Sequence, residues 1–181
     1  MNADLYSEEE ILKACKKNKR QFQEILYRKY AKKMFGICMS YAGDRSTAQD
    51  ILQDSFIKIF RKIKDFNMIG SLEGWVRRIV VNTAIDHIRK EQRVHNFIYD
   101  EIEINDNSQV AAGYENLKTH DILEQVSKLP DGARMVFNLY AIDGFSHKEI
   151  AQKLNITVGT SKSQFSRARK LLMLWLNKLS A

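Results

Sequence analysis

Trp75, Arg78, Asn82, Asp86, Arg89 and Arg93 follow one another at spacings of three and four residues. On a helix such spacing stacks side chains along one line. Guanidinium groups bind phosphate oxygens, an amide reads base edges, and a flat aromatic ring stacks on unpaired bases. The line therefore carries the chemistry of a nucleic-acid contact. The same residues could equally form a solvated edge, with Trp75 tucked under a loop.

The element that presents this line must be a single helix. No proline interrupts Gly70 to Arg93, and Ser71 stands where an N-cap belongs, so the stretch reads as one helix of about six turns. Leu72, Val76, Ile79, Val80, Val81, Ala84, Ile85 and Ile88 occupy more than half of its circumference. That is wider than the apolar stripe of a surface helix, so this helix is mostly buried. The preceding segment DFNMIGS carries Phe66, Asn67, Met68 and Ile69. A loop that apolar is either folded back on the core or built to receive a ligand group.

Further helices come before it. Ser7 and Glu10 form a capping box for a helix over residues 5 to 20, which ends in the basic run KKNKR, a solvated face or a nucleic-acid contact. Gln21 to Tyr41 repeats apolar residues with helical period. Ser46 and Gln49 are in capping-box register for a third helix running to Lys64. That helix turns Ala48, Ile51, Leu52, Phe56, Ile59, Phe60 and Ile63 inward and leaves Asp50, Gln53, Asp54, Ile57 and Arg61 outward. One isoleucine ringed by carboxylates, an amide and a guanidinium has the makeup of a small protein-docking patch, although a lone exposed isoleucine is common.

The last third is helical by pattern. Pro130 lies near the start of DGARMVFNLYAI, and Gly144 ends it. Ser146 and Glu149 make another capping box, opening SHKEIAQKL. The tight turn Asn155, Ile156 and Thr157 leads into VGTSKSQFSRARKLLMLWL. Two helices joined by about three residues, with small Ala151 at their contact, match a helix-turn-helix. Val158, Ser161, Phe165, Ala168 and Leu172 are expected to face inward. Lys162, Ser163, Gln164, Ser166, Arg167, Arg169 and Lys170 then remain for base edges and phosphates, with small serines allowing close approach.

The totals agree with an anionic partner. Among 181 residues the formal net charge is +7, and basic balance favours nucleic acid or an anionic surface. Residues 1–93 and 119–181 are both basic. Between them, 94–118 has no helical repeat and carries Asp100, Glu101, Glu103, Asp106 and Glu115 against Lys118. The expected architecture is all-α: two small helical domains, 1–93 and 119–181, joined by a flexible acidic linker, 94–118. No apolar run approaches a bilayer span and the N-terminus lacks the charges of a signal peptide, so membrane insertion is not expected and a cytoplasmic location is. Cys15 and Cys38 have no metal-ligand spacing, and His87, His95, His120 and His147 are scattered. The chain is therefore expected to have no catalytic residues, no metal and no cofactor.

With these residues laid out, the chain resembles bacterial RNA polymerase sigma factors of the extracytoplasmic-function (ECF) branch over nearly its whole length. AQDILQDSF at 48–56 is similar to the family's core-polymerase-binding motif, GWVRRIVVNTAIDHIRK at 74–90 to its minus-ten helix, and EIAQKLNITVGTSKSQFSRARK at 149–170 to its minus-thirty-five motif. The resemblance implies a non-enzymatic initiation factor whose partners are core RNA polymerase, promoter DNA and a cognate anti-sigma factor. It implies core binding through Asp50, Gln53, Asp54, Ile57 and Arg61, and minus-ten contacts through Phe66, Asn67, Trp75, Arg78, Asn82, Arg89 and Arg93. Phe66, Asn67 and Asn82 are expected to help form a pocket for an everted base. Three departures fall in the last motif: Asn155 replaces a glycine, Ser161 an inward valine, expected to loosen the helix slightly, and Gln164 an arginine. Two rival classes are a stand-alone helix-turn-helix regulator that does not need polymerase and an RNA-processing enzyme; the scattered acid/base residues speak against the second.

Overall fold

The computed structural model of the protein describes residues 6–67, 69–90 and 124–180, and every regular element among them is helical. The chain divides into two compact units, Met1–His87 and Ile88–Ala181. The stretch 91–123, which contains Arg93 and the acidic segment, lies outside the described residues, as does Met68.

In the first unit α1 (Glu8–Lys16) opens with the expected capping box. The Ser7 hydroxyl accepts from the Glu10 N–H, and the Glu10 carboxylate accepts from the Ser7 N–H at 2.9 Å. Ile11, Leu12, Ala14 and Cys15 are buried on one side of α1, the spacing of an amphipathic helix. The Glu8 carboxylate accepts from the Tyr30 hydroxyl at 2.7 Å and from the Lys29 ammonium at 2.9 Å, which ties α1 to α2 (Arg20–Ala42). Those two donors, Tyr30 first, hold the Glu8 carboxyl below the usual carboxylate range. The basic run between α1 and α2 is a turn rather than a helical face, with Asn18 at φ 56°.

Helix α2 stops at Gly43, which adopts φ 82°, and α3 (Arg45–Lys62) begins two residues later. The cap of α3 is a correction to the sequence reading. Asp44 fills that place, its carboxylate accepting from the Thr47 N–H at 2.9 Å, while Ser46 and Gln49 stand exposed inside the helix. Because the chain leaves α2 at Gly43, Asp44 takes the N-cap place, and its side chain reaches forward to a free N–H of the first turn. Ala48, Ile51, Leu52, Phe56 and Ile59 are buried as expected, and Ile63 follows in a short 3-10 turn (Ile63–Asp65); Phe60 is only half-buried. Both cysteines are buried, and burial pushes the Cys15 thiol up to about 11 and Cys38 up to about 12.

Helix α4 (Leu72–Lys90) is capped by Ser71, whose hydroxyl accepts from the Gly74 N–H at 3.0 Å. Gly70 precedes it at φ 82°, a conformation that strains any residue with a Cβ. Leu72, Val76, Val80, Val81, Ala84, Ile85 and Ile88 are each at most 4% exposed. Ile79, expected among them, is half-buried. Thr83 takes the inward place instead at 2% exposure, its hydroxyl donated to the Ile79 carbonyl at 2.8 Å. Self-bonding of this kind lets a threonine enter a core without an unmet polar group.

Beyond residue 123, the described part of the second unit opens with a helical stretch at 124–127 and continues with α5 (Asp131–Phe137). Pro130 occupies the N-cap position, one residue before the helix. Arg134, 7% exposed, donates to Asp131 at 2.6 Å and to the Leu129 carbonyl at 3.0 Å, which pins the entry into α5. The sequence reads as uninterrupted helix to Ile142, but Asn138–Ile142 widen into a π-type turn that buries Asn138 and Leu139. Gly144 then ends the segment at φ 75°. Helix α6 (His147–Leu154) has the expected capping box, with Ser146 N–H donated to the Glu149 carboxylate at 2.8 Å. Asn155 adopts φ 55° and ψ 46°, one of the few non-glycine residues that does so cheaply. Helix α7 (Val158–Ser180) follows, its Thr160 N–H donated to the Thr157 hydroxyl at 2.9 Å. Val126, Leu129, Ala133, Ala168, Leu172 and Leu176 form the core that α7 closes.

Candidate polymerase and nucleic-acid interfaces

Asp50, Gln53, Asp54, Ile57 and Arg61 are all exposed on α3, Ile57 at 42%. Their spacing places them along one line. Beside that line α2 and α3 enclose a groove of about 670 Å³, floored by Leu52, Phe56 and Phe60 and walled by Tyr27 and Phe35 of α2. Tyr27, 42% exposed, meets Phe56 edge-on at a centroid distance of 4.6 Å. Arg45 stands over the Phe35 ring at 5.5 Å. An aromatic floor with Asp50, Gln53 and Arg45 at its rim combines apolar area with orienting charge, the anatomy of a protein-binding patch. The α2 contribution is missing from the sequence reading, which counts α2 as core alone. Its trace in the sequence is Tyr27 and Phe35, two aromatics eight residues apart at the margin of the apolar stripe.

On α4 the expected line stays accessible. Arg78 and Arg89 are exposed, and Trp75 and Asn82 are half-buried. Asp86, which would repel phosphate, lies 3.4 Å from Lys58 of α3. Of the two readings of the loop, Phe66 takes the folded-back one: at 5% exposure it lies beneath the surface, its ring 5.3 Å from that of Trp75. It backs Trp75 rather than standing out from the loop, because a benzyl group gains more from the core than from water. Asn67 and Ile69 do stand out, Ile69 at 87% exposure. Lys33 of α2 pairs with Glu73 at the start of α4.

On α7, Lys162, Ser163, Ser166, Arg169 and Lys170 are exposed, whereas Gln164 and Arg167 are half-buried. Val158, expected inward, is 40% exposed, because it is the first residue of α7 and precedes the turn that meets α6. Ser161 is fully buried, and its hydroxyl lies 2.9 Å from Nδ1 of His147. A hydrogen bond between the two helices of the helix-turn-helix thus stands where a valine would give an apolar contact. His147 also stacks on Tyr140, with centroids 4.4 Å apart and planes 15° apart. Burial first and Lys162 second hold the His147 ring below its usual pKa. The stability it gives as a neutral ring is therefore complete above the unfolded value near 6.5 and is lost as pH falls through the folded one. Replacing Ser161 by alanine leaves the ring nitrogen without this partner and is expected to destabilise the second unit by about 1 kcal/mol, read as a lower thermal midpoint at pH 7.5. An unchanged midpoint would show the bond contributes nothing.

Two known families match the chain in series. Residues 26–94 match the Sigma-70 region 2 family, and residues 119–172 match Sigma-70 region 4. The chain is 32% identical over 162 residues to the ECF RNA polymerase sigma factor SigW of Bacillus subtilis, covering 83% of this chain and 86% of that one. It is 28% identical over 160 residues to the ECF RNA polymerase sigma factor SigE of Mycolicibacterium smegmatis, spanning 86% of itself but 62% of that longer protein. Among solved structures it is similar to the sigma factor RpoE of Bartonella quintana in complex with the anti-sigma factor NepR, with a TM-score of 0.49, 25% identity, and coverage of 87% of this chain and 98% of that one. Two sigma regions in series, with SigW identity sustained across most of both chains, establish that this chain belongs to the ECF sigma factors, non-catalytic subunits that bind RNA polymerase and direct it to promoters.

Proposed function

We propose that the protein divides initiation among three of its surfaces. The α3 line of Asp50, Gln53, Asp54, Ile57 and Arg61, with the aromatic groove beside it, docks on core polymerase. Helix α7 enters the upstream major groove through residues 162–170. The α4 edge holds the minus-ten region, Arg78 and Arg89 on phosphates and Trp75 and Asn82 on exposed bases; Arg93, which lies outside the described residues, is assigned to the same contact from the sequence alone. The observation that carries this reading is α4 itself. A helix whose apolar face is almost wholly buried keeps an aromatic, an amide and two guanidiniums accessible on the remaining edge. Opening a duplex costs a few kcal/mol per unstacked step, and binding the separated strand offsets it.

Residues 1–93 and 119–181 act as the two DNA-facing bodies in this scheme, and 94–118 as an acidic tether suited to a basic RNA channel. No helix among the described residues is long and apolar enough to cross a membrane. The working location is the cytoplasm, where polymerase and promoters are. A cognate anti-sigma factor would hold the protein inactive by covering the α3 face or the α4 edge; purification from the native host with no such partner would count against one.

Run-off transcription with purified core polymerase tests the whole reading. Transcripts that appear only when this protein is added support it, whereas promoter binding without polymerase would favour a stand-alone regulator. Within α7, Arg167→Ala is expected to cost about 1 to 3 kcal/mol at one base position if the guanidinium reads that base, or to reduce the salt slope by about one if it holds a phosphate. Unaltered affinity and slope would remove Arg167 from the interface.

A further inference from the structure

We infer that Lys16 is a positioning residue for the minus-ten site: its ammonium, brought by the last residue of α1, fixes the Phe66 carbonyl and so sets where Phe66, beside Trp75, and the adjoining Asn67 stand. The inference rests on the reading of α4 as the minus-ten helix.

Lys16 opens the basic run KKNKR, yet it does not share the run's exposure. It is half-buried, and its Nζ donates to the Phe66 carbonyl at 2.7 Å, across 50 residues of sequence. A bond from an ammonium is among the stronger hydrogen bonds a carbonyl can accept. It falls where the local backbone holds poorly, since the Phe66 N–H reaches the Ile63 carbonyl only at 3.4 Å. At the far end Gly70 and the Ser71 cap fix the chain. Between these two ends stand the exposed Asn67 and Ile69.

Helix α1 is built to hold Lys16 there. Four of its nine residues are buried, and it packs on α2 and on the 3-10 turn that leads into Phe66. It also lies before residue 26, where the sigma region 2 match begins. The Phe66 ring backs Trp75, so a shift of the Phe66 carbonyl displaces Asn67 and the aromatic contact together. A site that receives an everted base tolerates only about 0.5 Å of such displacement.

Lys16→Met keeps the aliphatic stem and removes the donor, and Lys16→Arg restores a cationic donor. Two measurements on the full chain separate the possibilities. In the free protein, hydrogen exchange of the Phe66 amide, which donates to the Ile63 carbonyl, should accelerate about tenfold in Lys16→Met and return toward wild type in Lys16→Arg. With core polymerase and a promoter, Lys16→Met should form about tenfold less open complex, with core affinity and salt slope unchanged and Lys16→Arg largely restoring opening. Unchanged exchange, or unchanged opening, overturns the inference. A salt slope lower by about one would make Lys16 a phosphate contact instead, and a parallel fall in core affinity would make its role a general structural one. If wild type itself opens no promoter, the sigma reading falls, and the exchange result still reports whether the tie exists.

Discussion

Core polymerase is expected to bind the Asp50→Lys, Asp54→Lys double variant about a hundredfold more weakly than the wild type. Both carboxylates are exposed on one face of α3 at i and i+4, so the pair changes the sign of that face without entering the core. Lysine has a helix propensity at least as good as aspartate, so α3 itself should persist. What changes is the field met by the partner. A face that attracts cationic groups would repel them, and like charges brought together at an interface cost several kcal/mol. The defect should shrink as salt rises, because exposed charges are screened within about 10 Å at 0.1 M ionic strength. Ile57→Ala should behave differently, weakening binding with little salt dependence, since it removes apolar area beside the groove rather than charge. Titration of labelled protein against core polymerase, with the thermal midpoint as a folding control, decides the matter. Full affinity in a folded double variant would move the docking site elsewhere.

Much of this architecture was legible in the sequence, for identifiable reasons. Helical period gave α2, α3 and α4, because their buried residues recur without interruption. Two capping boxes, Ser7 with Glu10 and Ser146 with Glu149, are present as read, although the first helix runs from Glu8 to Lys16 rather than over 5 to 20, because its cap and not its composition sets where it starts. The failures share a cause too. Ser46 with Gln49 has the same spacing as those boxes, but the cap is decided by where the previous helix lets go, and Gly43 hands that place to Asp44. Val158 obeys the inward period of α7 yet lies before the helix reaches a neighbour. Phe66 and Ser161 show the limit of reading one element at a time. Whether a loop phenylalanine stands out or folds back depends on Trp75, nine residues on, and whether a buried serine is a defect depends on His147 in another helix. The groove between α2 and α3 was half visible for the same reason, since its α3 side is written in one helix and its α2 wall only in the pairing of two.

The α4 edge should yield the other large effect. Replacing Arg78 and Arg89 together by alanine is expected to lower affinity for a single-stranded minus-ten oligonucleotide about thirtyfold at low salt. Each phosphate contact on a single strand contributes about 0.7 to the slope of log affinity against log salt, so losing two should flatten that slope by roughly 1.4. Core binding should be untouched, because the α3 face is unaltered, and open complex should fall while closed complex persists. Asp86 supplies the internal contrast. It stands on the same line but carries the opposite charge, offset by Lys58 at 3.4 Å. Asp86→Ala should therefore leave strand affinity equal or slightly higher, whereas a line that served only as a solvated edge would register neither change. Fluorescence anisotropy across a salt series, followed by permanganate footprinting of the open region, reads both quantities. An unaltered slope in the double arginine variant would mean that these guanidiniums face water rather than the melted strand, and the minus-ten assignment of α4 would have to be withdrawn.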